Sequence, residues 1–212
     1  MLQLQKQIIE THAHTFQFNP LSVTCVPSFD RRIASVRDFL PEHTFAILLN
    51  AINRQTQHQS VHIPIHKRGA AISYHDLHYR APEIVAFYHS PELHQWCSFF
   101  VGERFVPTPI DDLSSCSVLI YDQAGDRIGW HHDLNFYRGR HFTALLSLVN
   151  AGKADGNVSS ARLMMRQDKD HTVIPTPANT FVFFEGAFVY HGVTLLREGE
   201  RRIVLSMTFI QH

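Results

Sequence analysis

Hydrophobic residues in the first hundred positions repeat at the spacing of amphipathic helices. A stripe at i, i+3, i+4 and i+7 follows Pro41 and predicts a first helix; its members are Phe45, Leu48, Leu49 and Ile52. Two further helices are predicted over Pro82 to Tyr88 and over Pro91 to Phe100, with Ser90 as the N-cap of the latter. We interpret their apolar faces as packing surfaces.

From Ser117 onward the pattern changes to short segments in which apolar and polar residues alternate. This period of two predicts β-strands. The predicted strands lie near 117–121, 127–133, 142–149, 161–166, 171–174, 180–184, 187–191 and 202–210. Gly, Pro, Asn and Asp fall between them, as expected for turns. Many closely spaced short strands favour a jelly roll over a parallel α/β sheet.

These patterns predict an α+β, mainly β protein in which N-terminal helices cover a jelly roll. At 212 residues the chain is long enough for a substantial core, and we expect one domain over 1–212. The helical layer is predicted for about 1–110, and the jelly-roll core with the candidate site for about 111–212.

Composition narrows the classes of protein that the chain can belong to. An apolar share of 44% and a charged share of 18% are typical of a globular protein. The 19 basic and 19 acidic residues balance, which disfavours a nucleic-acid partner and an acidic membrane surface. Three scattered cysteines give neither a disulfide framework nor zinc-type spacing. Without a secretory or membrane-spanning apolar run, we expect a cytoplasmic protein.

The strongest chemical signal is the pair His131 and Asp133, two positions apart on one predicted strand, together with His191 on a distant strand. Two imidazoles and one carboxylate on one face of an octahedral iron leave three positions open for other ligands. With 16 histidines and 11 aspartates, about one His-x-Asp triplet is expected by chance, so the motif depends on its strand context. The alternative is an accidental triplet in a histidine-rich chain.

The last predicted strand has one wholly apolar face and one mixed face. The apolar face, expected to meet the helices, consists of Ile203, Leu205, Met207 and Phe209. The mixed face, expected to point into the jelly roll, consists of Arg202, Val204, Ser206 and Thr208. Arg202 is therefore the inward arginine and Arg201 the outward one, although a shift of one residue at the strand entrance would exchange them.

The chain from about Ser117 to Phe209 resembles the iron(II)- and 2-oxoglutarate-dependent oxygenase superfamily, particularly its prolyl-hydroxylase-like and DNA-repair-demethylase-like members. The resemblance rests on the segments LIYDQAGDRIGWHHD and TPANTFVFFEGAFVYHGVTLLREGERRIVLSMTF. In the first hundred residues only one segment, VRDFLPEHTFAILLNAI, is similar to the family, and it resembles the opening helix of many members. The resemblance implies a double-stranded β-helix fold.

The resemblance also implies a metal site and a reaction. His131, Asp133 and His191 would bind Fe(II), with 2-oxoglutarate and O2 as co-substrates and with release of succinate and CO2. His132 would point away from the metal. Related halogenases carry a small residue where Asp133 stands, so hydroxylation or oxidative demethylation is favoured. Trp130, on the strand face opposite His131, is expected in the core.

For the co-substrate, the resemblance implies that Arg202, or alternatively Arg201, pairs with the distal carboxylate of 2-oxoglutarate. Tyr121 would hydrogen-bond the same carboxylate, or would be a core tyrosine at a strand end. The chain departs from the family pattern at Val204, where many relatives carry Ser or Thr. Candidates for the missing hydroxyl are Thr143, Ser206 and Thr208.

The loop that follows the triplet carries the candidate substrate contacts. Its polar members are Asn135, Tyr137, Arg138 and Arg140. They would close over an anionic or zwitterionic small molecule, or would belong to an ordinary surface hairpin. The expected substrate is a small molecule or a peptide side chain.

Two other functions remain compatible with a metal-binding jelly roll. One is a cupin-type metalloenzyme of another reaction class, and the other is a non-catalytic metal-binding sensor. The arginine after His191 counts against a cupin-type enzyme, because the reactions of such enzymes need no buried arginine to bind a co-substrate. The histidines between 54 and 80 show no regular metal-ligand spacing, and we interpret them as solvated or hydrogen-bonding residues. No specific role is assigned to the histidines in 54–94.

Overall fold

The computed structural model describes residues 1–18, 26–28, 32–55, 59–63, 66–167 and 170–212. The helices within these ranges are α1 (Leu2–Thr11), α2 (Glu42–Asn53), α3 (Tyr74–Arg80), α4 (Pro82–Tyr88) and α5 (Pro91–Val101). The strands of the N-terminal half are β1 (Val26–Ser28), β2 (Ile33–Val36), β3 (Gln59–Ile63), β4 (Lys67–Ile72) and β5 (Phe105–Pro107).

The strands of the C-terminal half follow the predicted alternation. They are β6 (Cys116–Tyr121), β7 (Arg127–His131), β8 (His141–Ala151), β9 (Leu163–Gln167), β10 (Asp170–Ile174), β11 (Phe181–Phe184), β12 (Tyr190–Val193) and β13 (Arg201–Gln211). All the described pairings are antiparallel, and the sheet order is β1-β2-β11-β8-β13-β6-β4-β7-β12-β9-β10. β4 pairs with both β6 and β7 and so joins the two layers of a double-stranded β-helix.

Two hydrophobic clusters lie on opposite faces of the layer that contains β13. The helices pack on one face, where the buried residues of β13 are Ile203, Leu205, Met207 and Phe209. The second cluster fills the interior between the layers and includes Leu163, Met165, Val182 and Phe184. The predicted assignment of the apolar face of the last strand to the helical layer is therefore confirmed.

The three predicted helices are present as α2, α4 and α5, and Ser90 is the N-cap of α5. The sequence reading missed α1 and α3, although Ser73 accepts a hydrogen bond from the Asp76 N–H at 3.1 Å and so forms the N-cap of α3. It also missed the strands β1 to β5, so the first 110 residues are not a purely helical layer. β1 and β5 have only three residues each, and the sequence of β4, KRGAAI, does not alternate polar and apolar residues.

Two predicted strand boundaries were wrong near the candidate triplet. β7 ends at His131 rather than at position 133, and β12 begins at Tyr190 because residues 186–188 form a turn. Trp130 was expected in the core but is 36% exposed, and it stacks on Tyr190 with ring centroids 5.5 Å apart. Asp133 therefore lies in a connection, where its backbone is free of the strand geometry.

Among the described helices, none is long and apolar enough to cross a membrane.

A polar network ties α1 to the helices α3 to α5. The Tyr74 hydroxyl lies 2.7 Å from Nε2 of His89 and 3.2 Å from Oε1 of Gln5, and His78 Nε2 lies 3.3 Å from the same Gln5 oxygen. Burial, together with nearby His94 and His78, lowers the pKa of His89 to about 3. His89 is therefore neutral in the folded protein at neutral pH.

We expect His89 to make the protein less stable in acid. The unfolded chain protonates this histidine near its ordinary pKa of 6.5, whereas the folded protein does not until about pH 3. The stability contribution is thus complete above pH 6.5 and is lost as the pH falls toward 3, at no more than about 1.4 kcal/mol per pH unit. Denaturant unfolding of His89→Gln between pH 7.5 and 4.5 should show a shallower loss of stability than the wild type.

The control is His14→Gln, because His14 is exposed on the surface. It should follow the wild-type pH dependence. An unchanged slope in His89→Gln would contradict the assignment.

Candidate metal centre

The pairing of β7 with β12 brings the two candidate histidines together. His131 and His191 are direct partners in the antiparallel register, so both side chains leave the sheet on the same face. Their ring centroids are 4.2 Å apart. Two histidines 60 positions apart in the chain are thus neighbours because of one strand pair.

Asp133 completes the cluster from the connection after β7. Its N–H donates to the Gly186 carbonyl at 3.0 Å. Its Oδ1 lies 3.5 Å from Nε2 of His131 and 3.6 Å from Nε2 of His191. One ligand atom from each of the three residues lies within 4.8 Å of the others, a spacing that fits one metal ion.

Gly186 is required for this approach. A Cβ atom added at Gly186 would overlap the side chain of Asp133. Any larger residue there would displace the carboxylate or the turn before β12.

Backbone and hydroxyl groups fix the orientation of all three side chains. Nδ1 of His131 donates to the Gly129 carbonyl at 2.9 Å, and Nδ1 of His191 donates to the Val189 carbonyl at 2.8 Å. Each ring therefore presents Nε2 to the shared site. The Thr143 hydroxyl donates to Oδ2 of Asp133 at 2.5 Å and leaves Oδ1 facing the two imidazoles. Such outer hydrogen bonds orient metal ligands and raise their basicity.

The electrostatics of the cluster keep the carboxylate ionised. Burial alone would raise the pKa of Asp133, but His131, His191 and the Thr143 hydroxyl outweigh it and hold that pKa at about 2. Burial lowers the pKa of His191, against the opposing effect of Asp133. For His131, burial also acts to lower the pKa, but the hydrogen bonds and the charge of Asp133 raise it overall. A carboxylate between two imidazoles is a donor set suited to a divalent transition-metal ion.

The cluster opens into a cavity of about 670 Å³ between the two sheet layers. Alternate residues of β13 line it, and these are Arg202, Val204, Ser206 and Thr208. The sequence assigned these four residues to the inward face, and the structure confirms that assignment. From β8 the lining residues are His141, Thr143 and Leu145.

Arg202 is the most unusual residue of this cavity. It is 1% exposed, yet within the part of the chain that the structure describes its Nε has no hydrogen-bond partner and no carboxylate pairs with it. Its guanidinium carbon lies 5.5 Å from the ring centroid of Tyr121, its register partner on β6. Burial raises the pKa of Tyr121 to about 12, so the phenol remains a hydrogen-bond donor.

Arg201 is exposed and does not line the cavity, so the geometry favours Arg202 of the two candidates. His132 is exposed, with its ring 4.9 Å from that of Tyr190. It lines the cavity but does not belong to the group of possible metal ligands, and its predicted direction away from the metal stays a prediction.

The predicted substrate residues do not line the cavity. Asn135 bonds its own loop, accepting from the Tyr137 N–H and donating to the Gly139 carbonyl, each at 2.9 Å. Arg140 forms an ion pair with Glu185 at 3.0 Å, and Arg138 is exposed. Asn135, Tyr137 and Arg140 thus have polar partners within the protein, and direct substrate contacts from this loop stay a prediction.

Sequence reasoning missed several residues that do line the cavity. The loop contributes the apolar side chains Leu134 and Phe136 instead of its polar ones. His66 lines the cavity with its ring 5.3 Å from that of His131, and His141 lines it from the start of β8. Burial lowers the pKa of His141, against the opposing charges of Asp133 and Asp112. His141 is two positions before Thr143, which places both on one strand face.

No protein-family model matches the chain, and no curated protein matches it significantly. Solved structures do match. The α-ketoglutarate-dependent epimerase SnoN from nogalamycin biosynthesis aligns with a TM-score of 0.68 at 13% identity, covering 85% of this chain and 76% of that chain. A 2OG-Fe(II) oxygenase family oxidoreductase from Burkholderia pseudomallei aligns with a TM-score of 0.62 at 13% identity, covering 98% and 91%.

A prolyl hydroxylase from Trichoplax adhaerens, in complex with a hypoxia inducible factor peptide fragment, aligns with a TM-score of 0.62 at 11% identity, covering 99% of this chain and 89% of that chain. The chain therefore has the double-stranded β-helix fold of the 2OG-Fe(II) oxygenases. The predicted fold class is confirmed.

Thr143→Val should weaken the binding of a divalent ion. The substitution keeps the shape of the side chain but removes the hydroxyl that donates to Asp133. Loss of such an outer hydrogen bond lowers metal affinity by about tenfold or more. Competition for Zn²⁺ against a chromogenic chelator measures the change.

Thr143→Ser is the matched control, since it retains the hydroxyl and should bind Zn²⁺ nearly as the wild type does. Equal affinity of Thr143→Val and the wild type would show that the hydroxyl does not support the cluster.

Proposed function

We propose that the protein is an Fe(II)- and 2-oxoglutarate-dependent oxygenase. It hydroxylates, or oxidatively demethylates, a small molecule or a peptide side chain with O2, and it releases succinate and CO2. The observation that carries this proposal is the buried guanidinium of Arg202, with which no described carboxylate pairs, in the same cavity as the cluster of His131, Asp133 and His191.

The cluster fits iron(II). Each histidine offers Nε2 and the aspartate offers Oδ1, with their other polar atoms already bonded to Gly129, Val189 and Thr143. Three ligands from one side leave room for 2-oxoglutarate and O2, and the bound iron would supply the oxidising chemistry. The contribution of the chain is to orient these ligands and to exclude water from the cavity.

Arg202 requires a partner that the described residues do not provide. A buried charge without a counter-ion costs several kcal/mol. A carboxylate that enters the cavity would remove this cost and could bond the guanidinium through two parallel N–H groups. A keto acid with a second, distal carboxylate suits a site with a cation at one end and a metal cluster elsewhere in the same cavity.

The hydroxyl that many relatives place two residues after the arginine is replaced by Val204, which lines the cavity. Of the three candidate hydroxyls, Thr143 is bonded to Asp133, and Thr208 lies 2.8 Å from the hydroxyl of Thr108. We therefore infer that the Tyr121 hydroxyl donates the additional hydrogen bond to the distal carboxylate of 2-oxoglutarate, because the ring of Tyr121 lies beside Arg202. Ser206 lines the same cavity and is the remaining candidate.

A cupin-type metalloenzyme or a metal-binding sensor would share the metal cluster. Neither has a chemical need for a buried cation in the cavity. Affinity for 2-oxoglutarate therefore separates the three functions.

Arg202→Met should weaken 2-oxoglutarate binding by about ten- to a hundredfold, because it removes charge-assisted hydrogen bonds to the carboxylate. Calorimetry on the Zn²⁺-loaded protein measures the affinity, and succinate release with iron(II) in air measures the coupled activity. Without ligand, the variant should be at least as stable as the wild type, since it loses a buried unpaired charge.

Arg201→Met is the matched control and should leave both 2-oxoglutarate affinity and succinate release unchanged, because Arg201 is exposed. A wild-type protein that binds the metal but not 2-oxoglutarate would support a cupin or a sensor instead. An effect in Arg201→Met alone would reverse the arginine assignment.

A further inference from the structure

The cavity continues past the metal cluster, on the side away from Arg202. On β13, Arg202 lies at one end of the cavity-lining face and Thr208 at the other. Thr208 is the register partner of Thr143, which holds Asp133, and His141 lies two residues farther along β8, opposite Ile210. A co-substrate that extends from Arg202 to the cluster would leave the His141 end of the cavity open.

His141 is a buried polar residue without a polar partner. It is 4% exposed and lines the cavity, and neither ring nitrogen has a hydrogen-bond partner among the residues that the structure describes. It also forms no ion pair with those residues. Nδ1 is fully buried, so Nε2 is the nitrogen that can face the cavity. A buried polar group of this kind is destabilising unless something else bonds it.

The imidazole of His141 is held in place by packing. The Tyr137 ring stacks on it with centroids 6.0 Å apart and an interplanar angle of 22°. The Tyr137 hydroxyl donates to Oδ2 of Asp112 at 2.5 Å, which fixes the tyrosine. Tyr137 is thus a positioning residue for His141 rather than a group that lines the cavity.

Exposed apolar side chains surround the cavity mouth. Leu113 is 77% exposed, Leu134 is 71% exposed and Phe136 is 81% exposed, and all three line the cavity. Large apolar side chains clustered at the opening of a cavity are typical of a ligand-binding surface. They suit the apolar body of a ligand whose polar group lies deeper.

We propose that His141 is a substrate-binding residue, and that the substrate has an uncharged hydroxyl or amide that bonds His141 and an apolar body that lies against Leu113, Leu134 and Phe136. An anionic group is disfavoured there because the carboxylates of Asp112 and Asp133 act on His141. A cationic group is disfavoured because the metal ion shares the cavity. This assignment of substrate class rests on the proposed oxygenase function.

Three probes that each carry a pentyl chain test the proposal: hexanamide, hexanoate and pentylammonium. Their affinities are measured by ligand-observed NMR on the protein loaded with Zn²⁺ and 2-oxoglutarate, so that no turnover occurs. The wild type should bind hexanamide most tightly. His141→Leu should bind hexanamide about fivefold more weakly, the effect of one lost hydrogen bond, and should lose the preference among the three.

Phe136→Ser provides the matched comparison. Phe136 is exposed, so its replacement should not affect folding. The substitution should lower the affinity for all three probes by the same factor and leave the order of their affinities unchanged. The thermal unfolding temperature of each variant checks that it is folded.

Several results would overturn the proposal. These are equal affinity of the wild type and His141→Leu for hexanamide, a wild-type preference for a charged probe, or no binding of any probe. Loss of 2-oxoglutarate affinity in His141→Leu would place the residue in the co-substrate site. If the wild type itself fails to bind 2-oxoglutarate, the proposed function fails, and the hexanamide comparison on the Zn²⁺-loaded protein still decides the role of His141.

Discussion

The antiparallel pairing of β7 with β12 is the constraint on which the site depends. It sets His131 opposite His191, with ring centroids 4.2 Å apart. Because β7 ends at His131, Asp133 can turn back toward both rings, and its N–H and carboxylate are held by Gly186 and Thr143. The donor atoms are therefore placed by backbone pairing and by hydrogen bonds that exist before any ligand arrives, which is the preorganisation a metal site needs.

The distribution of charged side chains in the cavity favours the binding of an anionic co-substrate. Asp133 is balanced by the two histidines, whereas Arg202 has no balancing carboxylate among the described residues. The negative group that Arg202 lacks must come from outside this part of the chain. In the proposed function, a dicarboxylate keto acid would bond the arginine with one end and reach the metal with the other, and His141 would remain for the substrate. One cavity thus has three different polar positions for three different partners.

Period-two alternation was enough to predict the C-terminal strands and the inward direction of Arg202, because a strand with one buried face specifies its register strongly. The same signal could not reveal β2 or β4, because their sequences IASV and KRGAAI do not alternate apolar and polar residues, and it did not reveal α1 or α3. It also could not separate structural from functional polar groups. From the sequence, Arg140 and Asn135 could both contact a substrate. In the structure Arg140 pairs with the distant Glu185, and Asn135 bonds the Gly139 carbonyl of its own loop. His141 gave no local signal, since its importance depends on burial against Tyr137.

The most direct test of the account is a crystal structure of the protein grown without oxygen in the presence of Mn²⁺ and 2-oxoglutarate, with the ion located by its anomalous scattering. The manganese peak should lie between His131, Asp133 and His191, and the distal carboxylate of the keto acid should lie against the guanidinium of Arg202. A manganese ion bound elsewhere, or a keto acid that leaves Arg202 without a partner, would contradict it.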